Sequence, residues 1–288
     1  MRGGLLSVAP LLAHPRYEVF PAAAVADEVT EWVPRGMTVT VTASPAKGLE
    51  ATLGLTERLA GRGYRVVPHV SARLVTDDAH LADIVARLTA CGVDDVFVPA
   101  GDADPPAGRF DSALSLLTRL TEMGRPFTRI GITGYPESHP RIGDDITVQA
   151  MWDKRNHSSY IVSNLCFDPA VLRRWIDRIR SRGVTLPLFV GLAGPVERAK
   201  LLRMAAKAGV AESARFLAGH TEWFLRLGTP GGYRPERLLD RTGTALTAPA
   251  AAVQGLHLFT FNQVKETEQW RSALLERLTG PGGGRLAI

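Results

Sequence analysis

Tyr17-Glu18-Val19-Phe20-Pro21 is the stretch whose reading decides the fold. It reads as a short strand closed by a proline, with a helical stretch around Ala23–Trp32 after it. In an open doubly wound sheet, the first strand usually runs into Gly-x-Gly-x-x-Gly, whose backbone amides cradle a pyrophosphate. A strand ending in Glu-Val-Phe-Pro cannot do that. The closed (β/α)8 barrel is the other architecture for alternating strands and helices. It gathers the C-terminal ends of all its strands at one mouth.

Outward from that stretch the alternation continues. Strand patterns fall at Met37–Thr42, Tyr64–Val70, Asp95–Pro99, Arg129–Thr133, Tyr160–Ser163, Leu186–Val190 and Leu256–Phe261. Helical spacing fills the intervals, for example Leu49–Ala60, Phe110–Met123, Thr147–Arg155, Pro169–Arg182, Val196–Ala208 and Lys265–Leu278. A helix-rich insertion from Ser213 to about Val253 precedes the eighth strand. Eight strands in 288 residues fit a single barrel domain spanning 1–288, with 1–14 and 280–288 expected as flexible arms or caps. There is no Gly-x-x-x-x-Gly-Lys-Ser/Thr sequence.

Apolar residues make up 45% of the chain and charged residues 22%, the balance of a soluble globular protein. The net charge of +5 fits either an Arg-rich solvated surface or attraction of anionic small molecules. No aromatic-basic array of the kind that stacks bases occurs, which argues against nucleic acid. No apolar run reaches membrane-spanning length. The two cysteines, Cys91 and Cys166, have no metal or redox spacing, so a reducing, cytoplasmic compartment is expected, and no metal.

Polar phrases sit at the strand ends: Glu18, Pro68-His69, Gly101-Asp102, Tyr135–Pro140, Ser163–Asp168 and Phe259–Asn262. Each has a plain structural reading. Glu18 could pair with Arg16 or cap a helix. Asp102 lies in a strong turn composition, Gly101-Asp102-Ala103-Asp104-Pro105. His69 could be a satisfied structural donor, and His139 a loop lock.

Taken in order, these phrases resemble the catalytic barrel of methylenetetrahydrofolate reductase. Tyr17–Pro21 is similar to that family's opening Phe-Glu-Phe-Phe-Pro, and Tyr135–Pro140 to its Tyr-Pro-Glu-x-His-Pro. Ser163–Asp168 is similar to its Thr-Gln-x-x-Phe-Asp/Glu. The resemblance implies reduction of 5,10-methylenetetrahydrofolate by a reduced nicotinamide, NADH or NADPH. It implies Glu18 as the acid, buried by Tyr17, Val19 and Phe20. It implies Asp102 as a catalytic group that binds the pterin or supports cationic charge. Asn164 and Phe167 would hold folate, Asn164 one methylene shorter than the family's Gln. Thr42, His69, Tyr135, His139 and Lys154 would contact the cofactor. The chain departs from the family where flavin is gripped. Ala100 replaces an Arg before Gly-Asp, and Asp-x-x-Asn-x-x-Arg-Lys becomes Thr147-x-x-Ala150-x-x-Asp153-Lys154. A short branch of the family is thought to work without tightly bound FAD, and this chain looks similar to it. A folate-binding barrel without catalysis, or a reductase with a rearranged flavin site, are the alternatives. The sequence is silent on oligomeric state.

Overall fold

The structure, a computed structural model, describes residues 3–137, 143–195 and 234–280. Eight parallel strands form one sheet: β1 (Arg16–Val19), β2 (Thr38–Val41), β3 (Arg65–Pro68), β4 (Asp95–Phe97), β5 (Arg129–Gly134), β6 (Tyr160–Ser163), β7 (Leu188–Ala193) and β8 (Val253–Phe259). Their order is β3-β2-β1-β8-β7-β6-β5-β4. The seam between β3 and β4 is closed by a parallel bridge from His69 to Phe97, with the Val70 amide donating to the Phe97 carbonyl at 2.8 Å. The chain is a (β/α)8 barrel, as expected.

Strand positions agree with the sequence reading to within a few residues. The seventh strand begins two residues later and runs three further than expected. Ten helices are described: α1 (Gly3–Ser7), α2 (Ala9–Ala13), α3 (Val25–Trp32), α4 (Gly48–Gly61), α5 (Asp78–Ala90), α6 (Ala113–Glu122), α7 (Asp144–Lys154), α8 (Pro169–Ser181), α9 (Pro235–Leu246) and α10 (Val264–Thr279). The helix expected over Val196–Ala208 lies outside the described residues. Within the expected helical insertion, α9 is present and Val253 already belongs to β8.

Of the N-terminal stretch, expected as a flexible arm or cap, residues 3–13 form α1 and α2, and Val8 and Leu12 are fully buried. Its apolar run finds a partner in α9, where the two backbones almost touch. A Cβ on Gly243 would stand 1.8 Å from the Gly4 carbonyl oxygen, so only glycine permits this approach.

Strand β1 shows how the barrel is filled. Successive side chains point to opposite faces. Tyr17 points outward, and its hydroxyl hydrogen-bonds Glu268 on α10. Arg271 grips both oxygens of Glu268 at 2.7 Å and also donates to the Leu12 carbonyl at 3.0 Å. Burial and the Glu268 charge push the Tyr17 phenol up. Arg16 points inward, 4% exposed. Its guanidinium lies 4.3 Å from the centre of the Tyr160 ring and 4.0 Å from that of Phe189. Its Nη2 donates to Asp95 at 3.0 Å, and the Tyr160 hydroxyl donates to the other Asp95 oxygen at 2.7 Å. Burial pushes the Asp95 carboxyl up, against the pull of Arg16.

Removing one partner of a buried pair strands the other, at a cost of about 3–5 kcal/mol. Asp95→Ala should therefore lower the urea midpoint strongly, and by more than Asp94→Ala at the exposed neighbouring position. Equal midpoints for the two variants would remove the Arg16–Asp95 pair from the barrel's stability.

Candidate active site

Glu18 is the second inward residue of β1, 6% exposed. It does not pair with Arg16, which Asp95 already holds. Its Oε2 shares a hydrogen bond with His257 Nε2 at 2.9 Å and stands 3.7 Å from His69 Nε2. The His69 ring packs on Phe97 at 4.6 Å, and the His257 ring on Phe259 at 4.9 Å. Glu18 is thus a buried carboxylate between two imidazoles. His257 was not found by the sequence reading. The available signal was a histidine within the apolar strand Gly255-Leu256-His257-Leu258-Phe259, in register beside Arg16.

The backbone around Glu18 is fixed from the opposite end of the chain. The Thr260 hydroxyl donates to the Glu18 carbonyl at 2.6 Å. Asn262 accepts from the Phe20 amide at 2.8 Å and donates to the Phe20 carbonyl at 3.0 Å. Phe261 and Asn262 both hold left-handed backbone, with φ of 50° and 55°. Asparagine tolerates this better than most residues, whereas a bulky Phe there stores strain that the surrounding bonds must hold.

Burial pushes His69 from the ordinary imidazole value of 6.5 to about 4; the Glu18 charge opposes this and His257 adds to it. Its Nε2 is buried and without a hydrogen-bond partner, as is the Thr42 hydroxyl at the end of β2. Asp102 is exposed on the turn after β4. That turn needs Gly101, whose φ is +88° and whose Cβ would stand 2.9 Å from Ser71. Burial pushes the Tyr135 phenol up, and the Asp102 charge adds to the rise, so the two lie within electrostatic reach.

Asn164 turns its side-chain oxygen onto its own loop, accepting from the Leu165 amide at 2.9 Å. The Phe167 amide donates to Glu137 at 2.6 Å, and Asp168 caps α8 through the amides of Ala170 and Val171. Glu137 therefore ties the loop after β5 to the loop after β6, another role the sequence left unread. His139 lies outside the described residues.

Of the positions compared above with a flavin grip, Thr147, Ala150, Asp153 and Lys154 fall on α7, and Ala100 follows β4. Thr147 turns its hydroxyl onto the Asp144 carbonyl at 2.8 Å. Asp153 accepts from Gln149 at 2.8 Å. Arg155 stacks on Trp152 at 3.6 Å. Lys154 is half-buried, and burial pushes it down to about 8. A dinucleotide pyrophosphate needs paired cations or free amides. These residues do not fit a tightly held flavin dinucleotide.

An inward carboxylate bracketed by imidazoles, set at the C-terminal ends of the strands, defines a (β/α)8-barrel protein with an acid-centred site at the mouth. The chain belongs to the methylenetetrahydrofolate reductase family, whose description matches residues 22–215, about two thirds of the sequence. Glu18 lies just before that span, and His257 and Asn262 lie well beyond its end. Among solved structures, a protein described as a lyase/mutase from Burkholderia cenocepacia J2315 aligns over 100% of this chain and 92% of its own, at 14% identity and a TM-score of 0.50. Dihydropteroate synthase from Thermus thermophilus aligns over 91% of this chain and 94% of its own, at 13% identity and a TM-score of 0.46. The first likeness is one of fold alone.

The depressed His69 value gives a stability test. The folded state carries fewer protons than the unfolded chain between pH 6.5 and about 4. Stability should fall as the pH drops through that window and level off below it, by up to about 3 kcal/mol for this group. His69→Asn should flatten the slope in urea titrations at several pH values. An unchanged slope would show that His69 protonates freely in the folded protein.

Proposed function

We propose that this barrel reduces 5,10-methylenetetrahydrofolate to 5-methyltetrahydrofolate, taking hydride directly from a reduced nicotinamide dinucleotide. The observation that carries the proposal is the Glu18–His257 pair, buried at the mouth beside a neutral His69. The substrate's bridging carbon is unreactive until N10 accepts a proton and the bond from that carbon to N10 breaks. An N5 iminium cation is left, and hydride adds to its carbon to give the methyl group.

Glu18 gives the proton to N10. His257 holds the carboxyl by its Oε2, leaving Oε1 to face the substrate, and is a positioning residue. Asp102, on the turn after β4, supports the cation and helps to bind the pterin ring. Thr42, His69, Tyr135 and Lys154 surround the dinucleotide, and Phe167 lies against the folate. Asn164 contributes less, because its oxygen is already bonded to the Leu165 amide. Water exclusion by the buried ring pairs strengthens each of these interactions.

Glu18→Gln should lower turnover by about 10²–10⁴-fold while leaving the melting temperature near that of the wild type. Asp102→Asn should also slow the reaction, by less, because an amide dipole partly replaces the charge. Near wild-type turnover in the Gln variant would remove Glu18 from the chemistry.

The flavin prediction is separate. Because α7 offers no paired cations, the protein should purify colourless. Donor and folate must then occupy the mouth together, with the reacting carbons about 3–3.5 Å apart. Initial-rate lines against both substrates should intersect. Parallel lines, or a stoichiometric yellow chromophore, would show that the hydride is first stored on a flavin.

A further inference from the structure

The end of the barrel opposite the mouth carries a cavity of about 450 Å³. It is lined by residues at or just before the starts of the strands, among them Arg16, Arg65, Asp95 and Arg129, and by His14. Because all eight strands are parallel, this rim lies a full strand length from Glu18's end of the barrel. We propose that this cavity is a second binding site, for a small organic anion that carries a phosphate or carboxylate group on an apolar body.

The argument rests on unbalanced charge. Three guanidiniums converge on the cavity. A purely structural plug would match them with carboxylates, since a buried charge is costly unless paired. Asp95 is already saturated: Arg16 and Tyr160 take its two oxygens, and Arg129 Nε stands only 3.6 Å away. Asp94 is exposed and accepts from the Thr128 hydroxyl at 3.2 Å. Arg65 is exposed, with no ion pair among the described residues. Most telling is Arg16, which is 4% exposed, lines the cavity and keeps a buried Nη1 without a hydrogen-bond partner.

The chemistry of the ligand follows from the lining. Arginine forks suit the planar or tetrahedral oxygens of carboxylate and phosphate. Met37, Val66, Val93 and Phe189 supply the apolar walls. The volume falls within the range of ordinary small-molecule pockets, about 300–1,000 Å³. This site does not depend on the reaction assigned to the mouth.

The test uses phenyl phosphate, an anion with an apolar body, titrated calorimetrically into the full chain in phosphate- and sulfate-free buffer. One-to-one saturable binding is expected. Arg65→Ser should weaken it by about tenfold or more, and Arg65→Lys by less. Arg65 is exposed and outside the mouth, so both variants should melt like the wild type. Glu18→Gln should bind the probe unchanged, and neither NADH nor a folate should displace it. Absence of saturable heat would overturn the proposal. So would equal affinity in Arg65→Ser, or displacement by NADH, which would place the anion in the mouth.

Discussion

Everything at the two ends of this barrel depends on the alternation of one four-residue strand. In β1, two residues face the interior and both are charged. Arg16 is inward at the base and Glu18 inward near the mouth, while Tyr17 and Val19 face the helices. A barrel interior is a packed core, filled mostly by bulky branched side chains. Two charges in it must each find partners from other strands. β4, β6 and β7 supply Asp95, Tyr160 and Phe189 for Arg16, and β8 and the end of β3 supply His257 and His69 for Glu18. The outward Tyr17 then couples the same strand to α10 and, through Arg271, to the N-terminal helix α2. A shift of one residue in β1 would exchange all of these contacts at once.

The barrel was legible in the sequence because its signals are local. Apolar runs of strand length, helical spacing and glycine stops each sit within a few residues of the element they mark. The strand-end phrases were legible for the same reason, and the structure places Glu18, His69 and Asp102 at C-terminal strand ends as expected. What escaped depends on register between distant strands. His257 looks like one polar residue in an apolar run until β8 is laid beside β1. Glu137 looks like part of a loop phrase until its oxygen is seen on the Phe167 amide. The packing of the N-terminal stretch was not legible because its partner, α9, lies at the other end of the chain. Its short helices could not hold their form alone, and packing decides them.

The altered α7 is informative as a set. Losing one cation would weaken an anion site, but here the freed positions have acquired other partners. Thr147 bonds its own helix and Asp153 takes Gln149. A surface that has satisfied its polar groups internally gains little by opening them to a ligand, because each broken bond subtracts from the binding energy. The mouth itself differs. The hydroxyl of Thr42 and Nε2 of His69 are buried and lack hydrogen-bond partners, and such atoms are expensive to leave unmade.

The charges inside the barrel complete the argument. A buried cation is stabilised only by negative charge that nothing nearby has already cancelled. Arg16 sits two residues from Glu18 and could have cancelled it. Asp95 and Tyr160 take up the guanidinium at the base instead, and the Tyr160 and Phe189 rings cover its faces. His69 is nearer still, at 3.7 Å, but burial holds it at about 4, so at neutral pH it is an uncharged ring. Among the described residues, His257 remains the direct hydrogen-bond partner of the carboxyl. The same burial that makes the imidazole of His69 costly to protonate therefore keeps it from cancelling charge on the Glu18 carboxyl.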